Sequence, residues 1–182
     1  MTEAVATLLS SISPADELER AQLREAASWV ARTPDLYRRV KPATPPRHLV
    51  SYVVVTTPAR DAVFLVDHRK AGKWLPPGGH VEPGEDPGIT ARREAEEELG
   101  LRSGLGAGSV PLFLTITTTV NVDSGHEDVS LWYVTTAEPG TEFTLDEGEF
   151  RGGRWWSRDE IAATDPARFD PHLARFLAKL DR

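Results

Sequence analysis

The sequence predicts an α+β sandwich in which helices pack on each side of a sheet. Two β-branched segments, 49–57 and 61–69, indicate strands that come before a helical segment at 87–99. Two more strand-like segments, 110–122 and 127–136, follow this helix, and helical segments lie towards both ends of the chain. The fold class rests on this order of strands, one central helix, more strands and terminal helices.

The N-terminal part predicts a helical extension. Ser13 is a candidate N-cap, and a second short helix is expected at 33–40. Three prolines at 42–46 interrupt regular structure, so we expect a helical extension at 1–47 and the main domain at 48–182. The predicted apolar face of the first helix comprises Leu18, Leu23, Ala26, Trp29 and Val30.

The C-terminal part ends in a short strand and two helices. Arg154–Ser157 indicates the last strand, and Ser157 with Glu160 has the spacing of a capping box. Asp170 and Pro171 are expected to start the final helix.

Composition limits the chemistry that the chain can carry. The 182 residues contain no cysteine, which excludes thiolate zinc sites and cysteine nucleophiles. A formal net charge of -7 argues against stable nucleic-acid binding, although a metal ion would allow a small phosphorylated ligand. Neither a signal peptide nor a membrane-spanning apolar run is visible, so we expect a soluble cytoplasmic protein without membrane partners.

The central helix crowds carboxylates on one face. Glu94, Glu97 and Glu98 share an arc of about 100°, and like charges at this spacing repel. A cation among them would relieve the repulsion, and oxygen ligands select magnesium, manganese or calcium. From the helix alone, an ordinary solvated acidic face is the alternative. The residues beside the arc can pack on a sheet: Ala91, Ala95 and Leu99.

The loop before the helix adds further candidates. Gly78 and Gly79 allow close backbone approach, and a free carbonyl at Gly79 can serve as a metal ligand. Glu85 precedes the helix, where a negative charge meets the positive end of the helix dipole. Arg93 can pair with neighbouring carboxylates and hold their conformations.

The whole spacing resembles the Nudix box at every defined position. The matching residues are Gly79, Glu85, Arg93, Glu94, Ala95, Glu97, Glu98, Gly100 and Leu101. The likeness covers about 49–161. It implies a Nudix-type α/β/α sandwich with a mixed sheet, and a MutT-like nucleotide diphosphatase that uses Mg²⁺, or sometimes Mn²⁺, to cut a nucleoside diphosphate linked to another group.

The resemblance also implies roles for individual residues. Glu94, Glu97 and Glu98 match metal-binding and base positions, with Glu94 left open between ligand and base. The Gly79 carbonyl matches a backbone ligand. Two residues match positions that orient the carboxylates: Arg93 and Glu85.

The family often takes a further carboxylate from a loop after the box. Glu147 and Glu149 are the candidates here, and Glu149 is favoured as a metal ligand because it is nearer the last strand. A solvated acidic turn is the alternative for both residues.

Alternation in the strand at 127–136 suggests a substrate pocket. His126, Asp128 and Trp132 share one face, so Trp132 could stack on a base while Asp128 accepts from its amino group. The alternative is that Trp132 packs in the core and His126 is a turn residue. Glu147 is a further candidate for substrate contact.

The favoured substrate is a modified or noncanonical nucleoside triphosphate, bound as a small molecule. Ile116 stands where ADP-ribose hydrolases often carry a proline, and Thr117 and Thr118 occur close to the place where dinucleoside polyphosphate hydrolases favour a tyrosine. The alternatives are a hydrolase of nucleotide sugars or ADP-ribose, and a nucleotide sensor without turnover. A homodimer seam formed by Leu18, Leu23 and Trp29 is left open beside intramolecular packing.

Overall fold

The computed structural model describes residues 2–41, 44–119 and 125–182. The strands are β1 (Arg47–Thr56), β2 (Ala62–His68), β3 (Lys73–Leu75), β4 (Gly78–His80), β5 (Phe113–Thr119), β6 (His126–Thr136) and β7 (Phe150–Ser157). The helices are α1 (Thr2–Ser11), α2 (Glu17–Arg32), α3 (Pro87–Leu99), α4 (Arg158–Ala163), a 3-10 turn (Pro166–Arg168) and α5 (Leu173–Leu180). The predicted α+β class is confirmed.

Strand pairing follows the order β3-β2-β1-β6-β5, with β4 paired to β1 and β7 paired to β2. Phe64 lies opposite Trp155 in the antiparallel pair of β2 and β7. Thr115 lies opposite Ser130 in the antiparallel pair of β5 and β6. Residues 120–124, between these two strands, lie outside the described residues, and with them the end of the strand predicted at 110–122.

The chain divides into two compact units. The first contains residues 1–52, 79–91 and 105–133, and the second contains 53–78, 92–104 and 134–182. The first unit includes α1 and α2 together with β5. The boundary expected after residue 47 stays a prediction.

Helix α2 covers the backbone of β5 through polar side chains. Gln22 Nε2 donates to the carbonyl oxygen of Ile116 at 3.0 Å, and the N–H of Leu114 donates to Glu19 Oε1 at 3.4 Å. These bonds satisfy strand groups that an edge would leave unpaired. The predicted apolar face was partly wrong, because Ala26 is fully buried whereas Leu18 is 48% exposed.

Two local expectations near the N-terminus were wrong, and one helix there was not predicted. The N-cap of α2 is Asp16, not Ser13, because Asp16 Oδ1 accepts the N–H of Glu19 at 2.8 Å. Helix α1 precedes it and was not expected. The short helix expected at 33–40 is absent from the described residues 33–40, where the Leu36 carbonyl instead accepts the N–H of Leu49 at 2.9 Å.

The second unit packs the end of α3 against β2 and β7. Leu99 joins a buried cluster with Val55, Phe64, Val66 and Phe150. The helix ends at Leu99 as predicted, and Gly100 follows it with φ 65° and donates its N–H to the Glu96 carbonyl at 3.0 Å. The last helical turn is therefore fixed by both its cap and its core contact.

The C-terminal elements agree with the sequence except at the start of α5. The capping box of Ser157 and Glu160 is present. Helix α5 begins at Leu173 with His172 as its cap, slightly later than the expected start at Asp170. Across the described residues, every helix is too short or too polar to cross a membrane. A cytoplasmic location and a homodimer stay predictions.

Two adjacent glycines in β7 provide a matched test of this packing. A Cβ at Gly153 would lie 2.7 Å from Phe64 Cζ, and that ring is held by Phe143 and Trp155. We expect Gly153→Ala to lower the free energy of unfolding by about 1–3 kcal/mol. A Cβ at Gly152 would have no atom within 4 Å, so Gly152→Ala should leave the free energy of unfolding nearly unchanged. Equal urea-unfolding curves for the two variants would contradict the packing.

Candidate active site

Helix α3 begins in a network of side-chain acceptors. Asp86 Oδ1 accepts the N–H of Gly88 at 2.8 Å, which satisfies one of the first N–H groups of the helix. Glu85 Oε2 accepts the hydroxyl of Thr90 at 2.7 Å and also the N–H of Glu82 at 3.4 Å. Glu85 thus lies at the first turn, where the sequence predicted it.

Arg93 holds two carboxylates of the helix. Its Nη1 donates to Glu94 Oε1 at 2.7 Å and to Glu97 Oε2 at 3.0 Å. Glu94 is buried, whereas 60% of the Glu97 side chain is exposed. The expected pairing of Arg93 with neighbouring carboxylates is present, so both side chains have a defined position before any ligand binds.

Glu98 is held by the backbone of the glycine loop. The side chain is buried, and its Oε2 accepts the N–H of Gly78 at 2.8 Å. The sequence suggested a carbonyl ligand from Gly79 in this loop but not a donor from Gly78. A pair of glycines signals close backbone approach and does not reveal which backbone group is used.

Burial leaves these carboxylates short of compensating charge. Burial raises the pKa of Glu98 to about 9, and the charges of Glu94 and Glu149 add to the rise. Burial also raises the pKa of Glu94 to about 7, although Arg93 opposes this. A divalent cation would favour the ionised form of both groups, and an all-oxygen set suits magnesium or manganese. The residues present therefore fit such an ion.

The loop before β7, residues 137–149, contributes to the electrostatic environment of Glu94 and Glu98. Glu149 raises the pKa of both buried glutamates, which supports its predicted place near them. Asp146, which was not among the candidates from the sequence, also raises the pKa of Glu98. The loop is joined to the end of α3 because the N–H of Thr144 donates to the Leu99 carbonyl at 3.2 Å.

A pocket of about 380 Å³ lies along this loop. Glu147 is part of it, so this candidate borders a concave surface. The carbonyl of Glu147 accepts from Arg69 Nε at 3.0 Å, which fixes the loop at that point. The lining residues are Phe143, Thr144, Leu145, Glu147, Phe150, Arg151 and Gly152.

Trp132 has the core position that the sequence analysis kept as its alternative. The side chain is fully buried, and Nε1 donates to Thr115 Oγ1 at 3.0 Å. Its ring contacts Phe113 and Tyr52 edge-on, with centroids 5.7 and 5.1 Å away. Both faces of β6 are buried around Trp132, so the alternation of side chains along the strand could not distinguish a pocket residue from a core residue. In this conformation the indole offers no face to a base.

His126 and Asp128 lie in a different cluster of the first unit. They lie close to His48 and His80, and the four side chains place their ligand atoms within 4.8 Å of one another. No sequence pattern groups these residues, because they come from three separate strands.

Comparisons with known proteins agree with the motif. A family model described as NUDIX domain matches residues 46–180. Diphosphoinositol polyphosphate phosphohydrolase 2 of Rattus norvegicus is 49% identical over 47 residues, which are 25% of this chain and 26% of that protein. The chain thus matches about a quarter of the length of this curated relative.

Solved structures extend the likeness to most of the fold. A NUDIX family hydrolase from Clostridium perfringens is 28% identical with a TM-score of 0.54, over 74% of this chain and 97% of that one. A MutT NUDIX hydrolase from Burkholderia pseudomallei is 20% identical with a TM-score of 0.57, over 74% and 98%. The predicted fold is confirmed, and these matches support a hydrolase.

The raised pKa values predict how the metal-free protein responds to pH. Because the folded state holds protons that the unfolded chain releases, the free energy of unfolding should fall as pH rises between about 5 and 9. Glu98→Gln keeps an acceptor for Gly78 and removes the charge. We expect this variant to unfold at higher urea concentration than wild type at about pH 8, by at least roughly 1 kcal/mol.

The matched control for this measurement is Glu96→Gln, on the exposed face of the same helix. Its stability should follow the wild-type pH curve in a chelator-treated sample. A Glu98→Gln curve with the same slope as wild type would show that Glu98 ionises normally in the folded protein.

Proposed function

Because the chain belongs to the NUDIX domain family, we propose that it hydrolyses a diphosphate linkage, using the carboxylates of α3 to bind the metal. The observation that carries the proposal is the buried pair Glu94 and Glu98, whose negative charges are compensated only in part by Arg93 and by the N–H of Gly78. The proposed substrate is a modified or noncanonical nucleoside triphosphate. Diphosphate-containing substrates are typical of the family.

Magnesium is the proposed ion, with manganese as a substitute. Glu97, Glu98 and Glu149 would hold it, together with Glu94 where that residue is not the base; the motif adds the carbonyl of Gly79. When bound, the ion neutralises diphosphate charge and lowers the pKa of the attacking water. The clustered carboxylates favour this ion because each offers hard oxygen ligands.

The protein groups have separable roles in the proposed reaction. Arg93 positions Glu94 and Glu97 through its two hydrogen bonds. The N–H of Gly78 orients Glu98. Glu94, where it does not bind the ion, takes a proton from the water that attacks phosphorus. The P–O–P linkage then breaks and the leaving phosphate carries away the bond electrons.

The pocket of the loop before β7 is the proposed place for the nucleoside. Phe143 and Phe150 supply apolar surface, and Arg151 supplies a cation at the rim. A volume of about 380 Å³ lies within the usual range for small-molecule sites, roughly 300–1,000 Å³. This location replaces the one suggested by Trp132, which is buried in the core.

A diphosphoinositol polyphosphate is a second candidate substrate. The 47-residue likeness to phosphohydrolases of such compounds favours it. A ligand with many phosphates requires several arginine or lysine partners. The pocket lining contains one cation, Arg151, which also pairs with Asp67 at 3.0 Å, and the chain has a net charge of -7. The less charged nucleotide is therefore the better fit.

The proposed activity can be measured as phosphate or pyrophosphate release with magnesium from a panel of nucleotides, nucleotide sugars and diphosphoinositol polyphosphates. Glu97→Gln and Glu98→Gln should each lower kcat/KM by at least about a hundredfold, as expected when a positioned charged group is lost. Glu96→Gln should retain wild-type activity. Folded wild-type protein that turns over no panel member would favour a sensor, and active Glu98→Gln protein would refute the assigned role.

The pocket makes a separate prediction about substrate binding. Arg151→Gln should raise KM for a nucleotide substrate at least about fivefold with little change in kcat, because a charged hydrogen bond to substrate is lost. The matched control is Arg154→Gln, which removes an exposed arginine paired with Glu160. Equal KM values for the two variants would exclude Arg151 from the binding site.

A further inference from the structure

Three histidine side chains of the first unit surround one carboxylate oxygen of Asp128. His48, His80, His126 and Asp128 come from β1, β4 and β6, and their ligand atoms all lie within 4.8 Å of one another. Asp128 Oδ1 is 3.0 Å from Nε2 of His48, 3.5 Å from Nε2 of His126 and 3.9 Å from Nε2 of His80. The imidazole rings of His48 and His126 stack with centroids 5.1 Å apart.

A hydrogen bond at Nδ1 determines the tautomer of the neutral His48 ring. Nδ1 lies 2.9 Å from the carbonyl oxygen of Pro45, and a carbonyl only accepts, so Nδ1 carries the proton. In the neutral ring, Nε2 then presents a lone pair to Asp128 Oδ1 at 3.0 Å. These two buried atoms, His48 Nε2 and Asp128 Oδ1, are not aligned for a hydrogen bond with each other. Neither atom has a hydrogen-bond partner among the described residues.

Two facing lone pairs in a buried setting repel unless a proton or a metal ion lies between them, and the poor alignment of these two atoms disfavours a shared proton. His48 is fully buried and cannot turn to water. A histidine that donates Nδ1–H to a carbonyl and directs Nε2 inward has the usual arrangement of a metal ligand with its outer support. The cluster therefore has a ready place for a positive ion.

The ligand types identify the ion. Imidazole nitrogens with one carboxylate suit zinc, whereas magnesium prefers oxygen throughout. Zinc–ligand distances of about 2.0–2.1 Å in a tetrahedron place ligand atoms roughly 3.3 Å apart. The separations of 3.0, 3.5 and 3.9 Å around Asp128 Oδ1 are close to this spacing.

We propose that His48, His80, His126 and Asp128 form a zinc site that is distinct from the carboxylate site of α3. Four protein ligands fill a tetrahedral coordination sphere, which is typical of structural rather than catalytic zinc. The ion would tie β1, β4 and β6 together in the first unit. Side-chain exposures of 25% at His80 and 19% at Asp128 leave an entry path.

One neighbouring group opposes the ion. Arg38 interacts electrostatically with Asp128 and with His80. Removing the guanidinium should strengthen zinc binding, and we expect Arg38→Gln to lower the Kd for zinc.

The direct test uses the full chain without a polyhistidine tag. After chelator treatment, Co²⁺ should produce the visible absorption of a tetrahedral complex, and elemental analysis should find one zinc per chain after reconstitution. Asp128→Asn and His126→Gln should abolish both signals while retaining the wild-type circular dichroism spectrum. His172→Gln removes a histidine of the second unit and should keep both signals.

Thermal unfolding separates this site from the proposed active site. Zinc at about a hundredfold excess over its Kd should raise Tm by roughly 5–10 °C in wild type and in Glu98→Gln, but not in Asp128→Asn. Less than one-tenth of an equivalent of bound zinc in wild type would overturn the proposal. So would loss of Co²⁺ absorption in Glu98→Gln with retention in Asp128→Asn. None of these readouts depends on hydrolytic activity.

Discussion

The burial of like charges on α3 is the constraint on which the proposed chemistry depends. An ionised carboxylate is costly to bury unless hydrogen bonds or opposite charges compensate it. Arg93 compensates Glu94 in part, and the N–H of Gly78 binds Glu98, yet burial still raises the pKa of both glutamates. A divalent cation bound between these buried carboxylates would be attracted more strongly than by the same groups in water, because burial lowers the local dielectric constant.

Contacts within the second unit fix the C-terminal end of α3, which carries these buried carboxylates. Leu99 lies in the buried cluster around Phe64, and Gly100 closes the last turn. The bond from Thr144 to Leu99 then brings the loop with Glu149 to the same end of the helix. Core packing and the cap thus determine where the carboxylates point, and the loop adds a further one.

Features encoded locally were predictable from sequence. The bounds of α3 and its cap at Gly100 follow from helical spacing and one glycine, and the capping box of α4 follows from Ser157 and Glu160. The carboxylate cluster was found because helical periodicity places Glu94 and Glu98 on one face. By contrast, Asp16 and Ser13 are both good N-caps, and only the tertiary structure decides between them.

Features that depend on strand pairing were not predictable. His48, His80 and His126 are far apart in the chain and meet only because β1, β4 and β6 bring them together. The alternation around Trp132 suggested an open face, but packing buries both faces of that strand. Neither feature has a sequence pattern of its own.

Carboxyl ¹³C NMR of glutamate-labelled protein, with Glu98 assigned through Glu98→Gln, would measure the ionisation of this buried carboxyl. We expect Glu98 to titrate far above the ordinary glutamate range without metal, and saturating Mg²⁺ to move its titration below that range. A Glu98 carboxyl that titrates normally without metal, or whose titration does not respond to Mg²⁺ or Mn²⁺, would contradict this expectation.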